Sequence, residues 1–179
     1  MNTINLKSKF DELYFKALSC GLVPNKIHPV RVIQSAKSIV GINPKFPLVN
    51  LMSFCNSYID KFKTSSLDLK FKTVESPEVI TFADLEVALK SRSADRSLNA
   101  AYNLSKVSDG RHILEFLIEF SLKYKLVSFP NIWSVYKMML FLKGKDIEKN
   151  ILFCIHLVIN DSSRTSLRIN KLLDIDFEK

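Results

Sequence analysis

Glycine and cysteine are scarce in this sequence, and each shortage argues against a class of fold. Only four of the 179 residues are glycine, which leaves few positions for tight turns or for loops that let a ligand approach the backbone. Sheet-rich sandwiches and glycine-rich phosphate-binding folds are therefore disfavoured. The three cysteines, Cys20, Cys55 and Cys154, are far apart and form no C-x-x-C pair. A disulfide framework or a zinc site is not expected, and the sequence predicts an intracellular location, in the cytoplasm or another reducing compartment.

Long apolar runs and the common catalytic motifs are also missing. No apolar stretch approaches the roughly 20 residues that a membrane-spanning helix needs, so no transmembrane segment is expected. The start of the chain, MNTINLKSKFDELYF, lacks the charged-then-apolar pattern of a signal peptide. A glycine-rich nucleotide loop, a G-x-S-x-G motif and an H-E-x-x-H motif are all absent. The sequence therefore predicts a non-enzymatic protein without a cofactor.

Apolar residues recur with helical spacing along most of the chain, which predicts a mainly α fold. We expect a multi-helix bundle or a short α-solenoid. Thr81 and Asp84 resemble a capping box, Asp109 is suited to capping a helix, and Pro29 to opening one. The predicted helices span about 6–20, 29–40, 48–62, 83–92, 94–106, 111–124, 130–142, 146–160 and 164–173.

One stretch departs from the helical period and suggests a division of the chain. The segment LDLKFKTV alternates apolar and polar residues, so a small β-hairpin or an extended connector is expected near residues 67–82. This divides the chain into an N-terminal three-helix unit (residues 1–63), a connector or small hairpin (64–80) and a C-terminal helical unit (81–179). One continuous domain is the alternative.

The most apolar part of the chain is residues 110–160, where 29 of 51 residues are apolar. One domain of this size rarely surrounds three such helices completely, so we expect an exposed face for a protein partner or for self-association. Aromatic and methionine side chains dominate the energetics of interfaces. The predicted docking residues are Ile132, Trp133, Tyr136, Met138 and Met139. The leading hypothesis is therefore a helical binding or adaptor subunit of an intracellular macromolecular assembly.

The net charge of +8 supports a second hypothesis, an RNA- or DNA-binding protein. Lysines flank an aromatic residue in three triplets, KFK at 61–63, KFK at 70–72 and KYK at 123–125. In such triplets the rings would stack on bases while the cations meet phosphates. Arginines around the segment SRSADRS and at position 111 would add phosphate contacts. The predicted nucleic-acid-binding residues are Lys61, Lys63, Lys70, Phe71, Lys72, Arg92, Arg96, Arg111, Lys123 and Lys125. If instead each ring is buried beside solvated lysines, the triplets are ordinary amphipathic patterning.

A third hypothesis, a helical-bundle metal protein or enzyme, depends on His112, Glu115 and Glu119. Spacings of three and four place these side chains on one helix face, and carboxylate–imidazole pairs bind metals in diiron bundles. A second copy of the motif is missing, and Lys123 shares the same stripe. The stripe is more simply the solvated edge of a buried helix.

The segment KNILFCIHLVIND (149–161) holds a lone cysteine and a lone histidine in an apolar helix. At 100° per residue, His156 lies on a narrow polar stripe with Lys149 and Asn160, whereas Cys154 points elsewhere. The two are poorly placed as a nucleophile–base pair. The segment is predicted to be a core or interface helix.

Overall fold

The computed structural model describes residues 3–23, 26–43, 48–64, 81–144, 146–161 and 163. These residues form eight helices and no β-strand, which confirms the mainly α class and the bundle architecture. The predicted hairpin or connector lies outside the described residues up to position 80, and Thr81 and Phe82 belong to the start of a helix. The helices are α1 Thr3–Leu18, α2 Pro29–Ile42, α3 Leu48–Ile59, α4 Phe82–Lys90, α5 Ala94–Val107, α6 Gly110–Lys123, α7 Phe129–Phe141 and α8 Ile147–Ile159.

The starts of α4 and α6 follow from capping residues in the sequence. At the start of α4, the Thr81 hydroxyl accepts a hydrogen bond from the Asp84 backbone N–H, and the Asp84 carboxylate accepts one from the Thr81 backbone N–H. Asp109 caps α6 by accepting a bond from the backbone N–H of Arg111. Each bond satisfies a backbone donor that has no partner within the helix.

His28 caps α2 with its imidazole, and Pro29 follows it at the first helical position. The Nδ1 atom of His28 accepts a bond from the Val30 backbone N–H at 3.3 Å, so Nε2 carries the proton and donates to the Cys20 carbonyl at 3.2 Å. This side chain is 3% exposed. Cys20, which follows α1, also forms a backbone bridge with Thr64, which follows α3. The end of α1, the start of α2 and the segment after α3 are therefore linked through Cys20.

The three N-terminal helices pack against one another, and α2 also packs against α7. Helix α8 packs against α4, α5, α6 and α7. One buried cluster contains residues from all eight helices. Its parts are also linked by a hydrogen bond from the Tyr14 hydroxyl of α1 to Asn150 Oδ1 of α8, at 2.5 Å. The predicted boundary lies mostly outside the described residues, and the helices on its two sides share this core.

Candidate docking groove

The predicted docking residues on α7 are divided between the core and the surface. Ile132 and Met138 are fully buried and Met139 is 3% exposed, because they face the helices that pack around α7. The expectation that these three side chains face a partner therefore needs correction. Only Trp133, with 42% of its surface exposed, is an open apolar residue of the predicted set.

Trp133 belongs to a small polar and aromatic cluster between α6 and α7. Its ring stacks on the half-buried Tyr136 with 5.9 Å between centroids. The Tyr136 hydroxyl donates to Glu115 Oε1 at 2.7 Å, and Arg111 Nε donates to the same oxygen at 3.0 Å. These two donors lower the pKa of the Glu115 carboxyl, with the Tyr136 hydrogen bond the larger cause. The cluster holds α6 against α7 and leaves Trp133 partly exposed, with Lys137 Nζ 5.4 Å from its ring centroid.

The carboxylate proposed as a metal ligand is thus already hydrogen-bonded. His112 and Glu119 are exposed on the same helix as Glu115. Across the described ranges, no group of three or more His, Cys, Asp or Glu side chains is placed to hold a metal ion. The structure gives the metal hypothesis no support.

Several of the predicted nucleic-acid-binding cations already have a structural partner. Lys123 Nζ lies 2.9 Å from Glu86 Oε1, Arg111 pairs with Glu115, and Arg92 donates to the Asp161 carbonyl. Lys70, Phe71 and Lys72 lie outside the described residues. Lys61, Lys63, Arg96 and Lys125 are exposed. Phe62, the ring of the first triplet, is 8% exposed and belongs to the core.

The three cysteine thiols lie in the core, and His156 of α8 is half-buried. All three thiols are buried, and burial raises the pKa of each, most strongly that of Cys154. A thiol in such surroundings is a weak nucleophile because the thiolate is disfavoured. His156 is half-buried beside Asn160, whose amide donates to the His156 carbonyl at 2.9 Å.

An open apolar groove lies between α2 and α3, and we call it the α2–α3 groove. Its volume is about 220 Å³. Ile27, Ile39 and Phe54 are 52%, 41% and 54% exposed. Because side chains of this size are usually buried, their convergence on one groove marks a candidate docking site. The remaining lining residues are Arg31, Val32, Ser35, Ala36 and Leu51.

The groove exists because α2 has two apolar faces. Val30, Ile33 and Val40 are buried in the core. Val32 and Ile39, seven positions apart, share a second face with Ser35. The small Ser35 and Ala36 leave a depression in the middle of that face.

Helix α3 supplies the opposite wall in the same way. Its Met52 and Cys55 are buried in the core, whereas Leu51 and Phe54 line the groove. One end is fixed by the Tyr58 hydroxyl, which donates to the Ile27 carbonyl at 2.8 Å.

Cations outnumber carboxylates around the groove, where Asp60, directly after α3, is the acidic residue in the sequence next to either helix. Neither α2 (PVRVIQSAKSIVGI) nor α3 (LVNLMSFCNSYI) contains an aspartate or a glutamate. Arg31 lies in the lining. Lys26 Nζ lies 5.9 Å from the centroid of the Phe62 ring, and Lys61 Nζ lies 5.9 Å from the centroid of the Tyr58 ring. The described part of the site is therefore apolar inside and cationic at its edge.

The fold and the site together define an all-α bundle with a solvent-open, cation-edged apolar groove. No protein-family model, curated protein or solved structure matches this chain. Among the described residues, no helix combines the length and the apolar character that crossing a bilayer requires.

Proposed function

We propose that this protein is a non-enzymatic helical binding or adaptor subunit of an intracellular macromolecular assembly, and that it docks through the α2–α3 groove. The observation that supports the proposal is the convergence of exposed Ile27, Ile39 and Phe54 on one open groove. Covering apolar surface contributes roughly 25 cal/mol per Å². A partner that fills the groove therefore gains affinity by removing from water apolar surface that is exposed in the free protein.

The titratable groups support a binding role over a catalytic one. His28 caps a helix, Glu115 joins α6 to α7, and Glu86 accepts bonds from Lys123 and Tyr124. Each of these groups already has a structural partner. The groove itself holds one ionisable lining residue, Arg31, so it is suited to recognition and not to proton transfer.

Site-specific photo-crosslinking in cells that express the protein tests this proposal. A benzoylphenylalanine at Ile39 is expected to give a discrete protein adduct. The Ser35→Trp substitution, which fills the depression on exposed α2 surface, should abolish that adduct without changing the circular dichroism spectrum. Val107 on α5 is 79% exposed and provides the control position, where no such adduct is expected. Adducts that persist in Ser35→Trp, or that form equally at Val107, would refute docking through this groove.

Nucleic-acid binding is the second candidate function, favoured by the net charge of +8, by exposed Lys61 and Lys63, and by the position of Lys61 Nζ over the Tyr58 ring. A titration with single- and double-stranded RNA and DNA at two salt concentrations tests it. Binding through phosphates should weaken steeply with salt. The Lys61→Glu/Lys63→Glu variant should lower both the affinity and the salt dependence. No binding at low salt would end this proposal.

A further inference from the structure

We infer that the occupant of the α2–α3 groove is an amphipathic helix of three to four turns with acidic residues beside its apolar stripe. This inference rests on the proposed docking through the same groove. It names the chemistry of the partner, which the docking proposal leaves open.

The dimensions of the groove match a short helix. Ile27 precedes the first turn of α2, and Ile39 lies in its last turn, so the lining follows nearly all of this 14-residue helix. At 1.5 Å per residue this is about 20 Å. A partner helix of three to four turns has the same length. Apolar residues at positions i, i+3 or i+4, and i+7 would place successive side chains along the groove.

Hydrogen-bonding capacity favours a helix over an extended peptide. The α2 and α3 backbones bond within their own helices, so they present no row of free donors and acceptors such as a sheet edge offers. An extended peptide would bring unpaired backbone groups against Val32, Ile39 and Leu51, and burying them without partners costs free energy. A helix satisfies its own backbone and presents only side chains.

Charge favours acidic flanks on that helix. Residues 1–64 contain nine Lys or Arg against three Asp or Glu, a net +6. Both helices that form the groove lack carboxylates, and Arg31 lies in the lining. Like charges brought together at an interface are repelled, whereas complementary charges select the partner and accelerate association.

The same charge disfavours a second copy of this chain as the occupant. A two-fold interface pairs each surface patch with itself. Such an interface would gather Arg31, Lys26 and Lys61 of both copies on one patch, and neither α2 nor α3 supplies a carboxylate to neutralise them. An acidic helix neutralises these cations.

Two designed peptides of 14 residues test the inference against the full chain by fluorescence anisotropy. They share leucines at positions 2, 5, 6, 9, 12 and 13, and differ only in having Glu or Lys at the flanking positions. The Glu peptide is expected to bind at least about tenfold more tightly at low salt. Arg31→Glu should reduce its affinity about tenfold. Lys143→Glu, at an exposed lysine in the turn after α7, is the matched control and should have a much smaller effect.

The outcomes separate this inference from the docking proposal. Equal or tighter binding of the Lys peptide would overturn the acidic partner, and loss of that binding in Ser35→Trp would still support docking in the groove. Failure of both peptides to bind would overturn the helical occupant, whereas the Ile39 crosslink tests docking independently. A concentration-dependent dimer in light scattering that Ser35→Trp abolishes would assign the groove to a second copy and overturn the inference.

Discussion

Helix α8 and the α2–α3 pair show that an apolar sequence and an apolar surface are different properties. In α8, eight of the 13 residues are buried, including Phe153 and Cys154. Helix α2 has five buried residues among 14 and leaves Ile39 and Ile42 exposed. The less apolar region therefore offers the more open apolar surface. The position of a helix among its neighbours, more than its mean hydropathy, decides whether it can bind a partner.

The reason is the number of helices around each region. Four helices pack against α8, and Tyr14 of α1 reaches its first turn through Asn150. Helices α2 and α3 pack mainly on each other, on α1 and, for α2, on α7. Their outer faces thus have no described helix over them. An amphipathic helix at the edge of a bundle exposes whatever apolar residues lie outside the core stripe.

Matched phenylalanine substitutions give the largest expected effect on this comparison. Phe153 is 1% exposed and Phe54 is 54% exposed. Phe153→Ala should reduce the free energy of unfolding by about 3–5 kcal/mol, because it leaves a cavity in a packed core. Phe54→Ala should cost less than about 1 kcal/mol. Urea denaturation followed by circular dichroism measures both.

The same pair separates stability from binding. Phe54→Ala should weaken the crosslink at Ile39 while the protein stays folded. If the two substitutions lower the free energy of unfolding equally, Phe54 is buried in solution and the groove is part of a core.

The sequence predicts the helices well because local rules set where they begin. Thr81 with Asp84, and Asp109, form the caps that their positions indicate. The starts of α2 and α7 follow from Pro29 and Pro130 in the same way. The final predicted helix, near 164–173, lies outside the described residues.

The docking site could not be predicted in the same way, because it depends on contacts between helices. Ile132, Met138 and Met139 are buried by neighbouring helices that the apolar pattern of α7 does not specify. Val32 and Ile39 lie on a second apolar stripe of α2, which was the available signal in the sequence. Periodicity alone does not reveal which of two stripes faces the core.

The buried polar link between α1 and α8 gives the next largest effect. Tyr14 and Asn150 are both fully buried, and burial raises the pKa of the Tyr14 hydroxyl well above its ordinary value. Asn150→Leu leaves that hydroxyl without its acceptor and should cost about 2 kcal/mol, whereas Tyr14→Phe should cost about 1 kcal/mol.

A double-mutant cycle from urea denaturation isolates the hydrogen bond. The combined Tyr14→Phe/Asn150→Leu variant should lose less stability than the two single variants added together, since neither group is left unpaired. Strictly additive costs would show that the two side chains are not coupled.

The smallest expected effect is a pH dependence that distinguishes His28 from the histidine of α8. Burial lowers the pKa of His28, despite its bond to the Cys20 carbonyl, and burial also lowers the pKa of His156. A histidine whose folded pKa lies below the unfolded value of about 6.5 binds more protons when unfolded. Its contribution to stability is full above about pH 6.5 and is lost as the pH falls.

The carboxyl groups with lowered pKa, such as Glu86 at about 2, act at lower pH, so the window from pH 7.5 to 5 reports the histidines. The comparison uses His156→Gln alone and together with His28→Asn, because asparagine still caps α2 but does not titrate there. Urea denaturation should show the single variant losing stability towards pH 5 and the double variant losing less. Equal slopes would mean that protonation of His28 is not coupled to folding, and the capping role of its neutral Nδ1 would then be untenable.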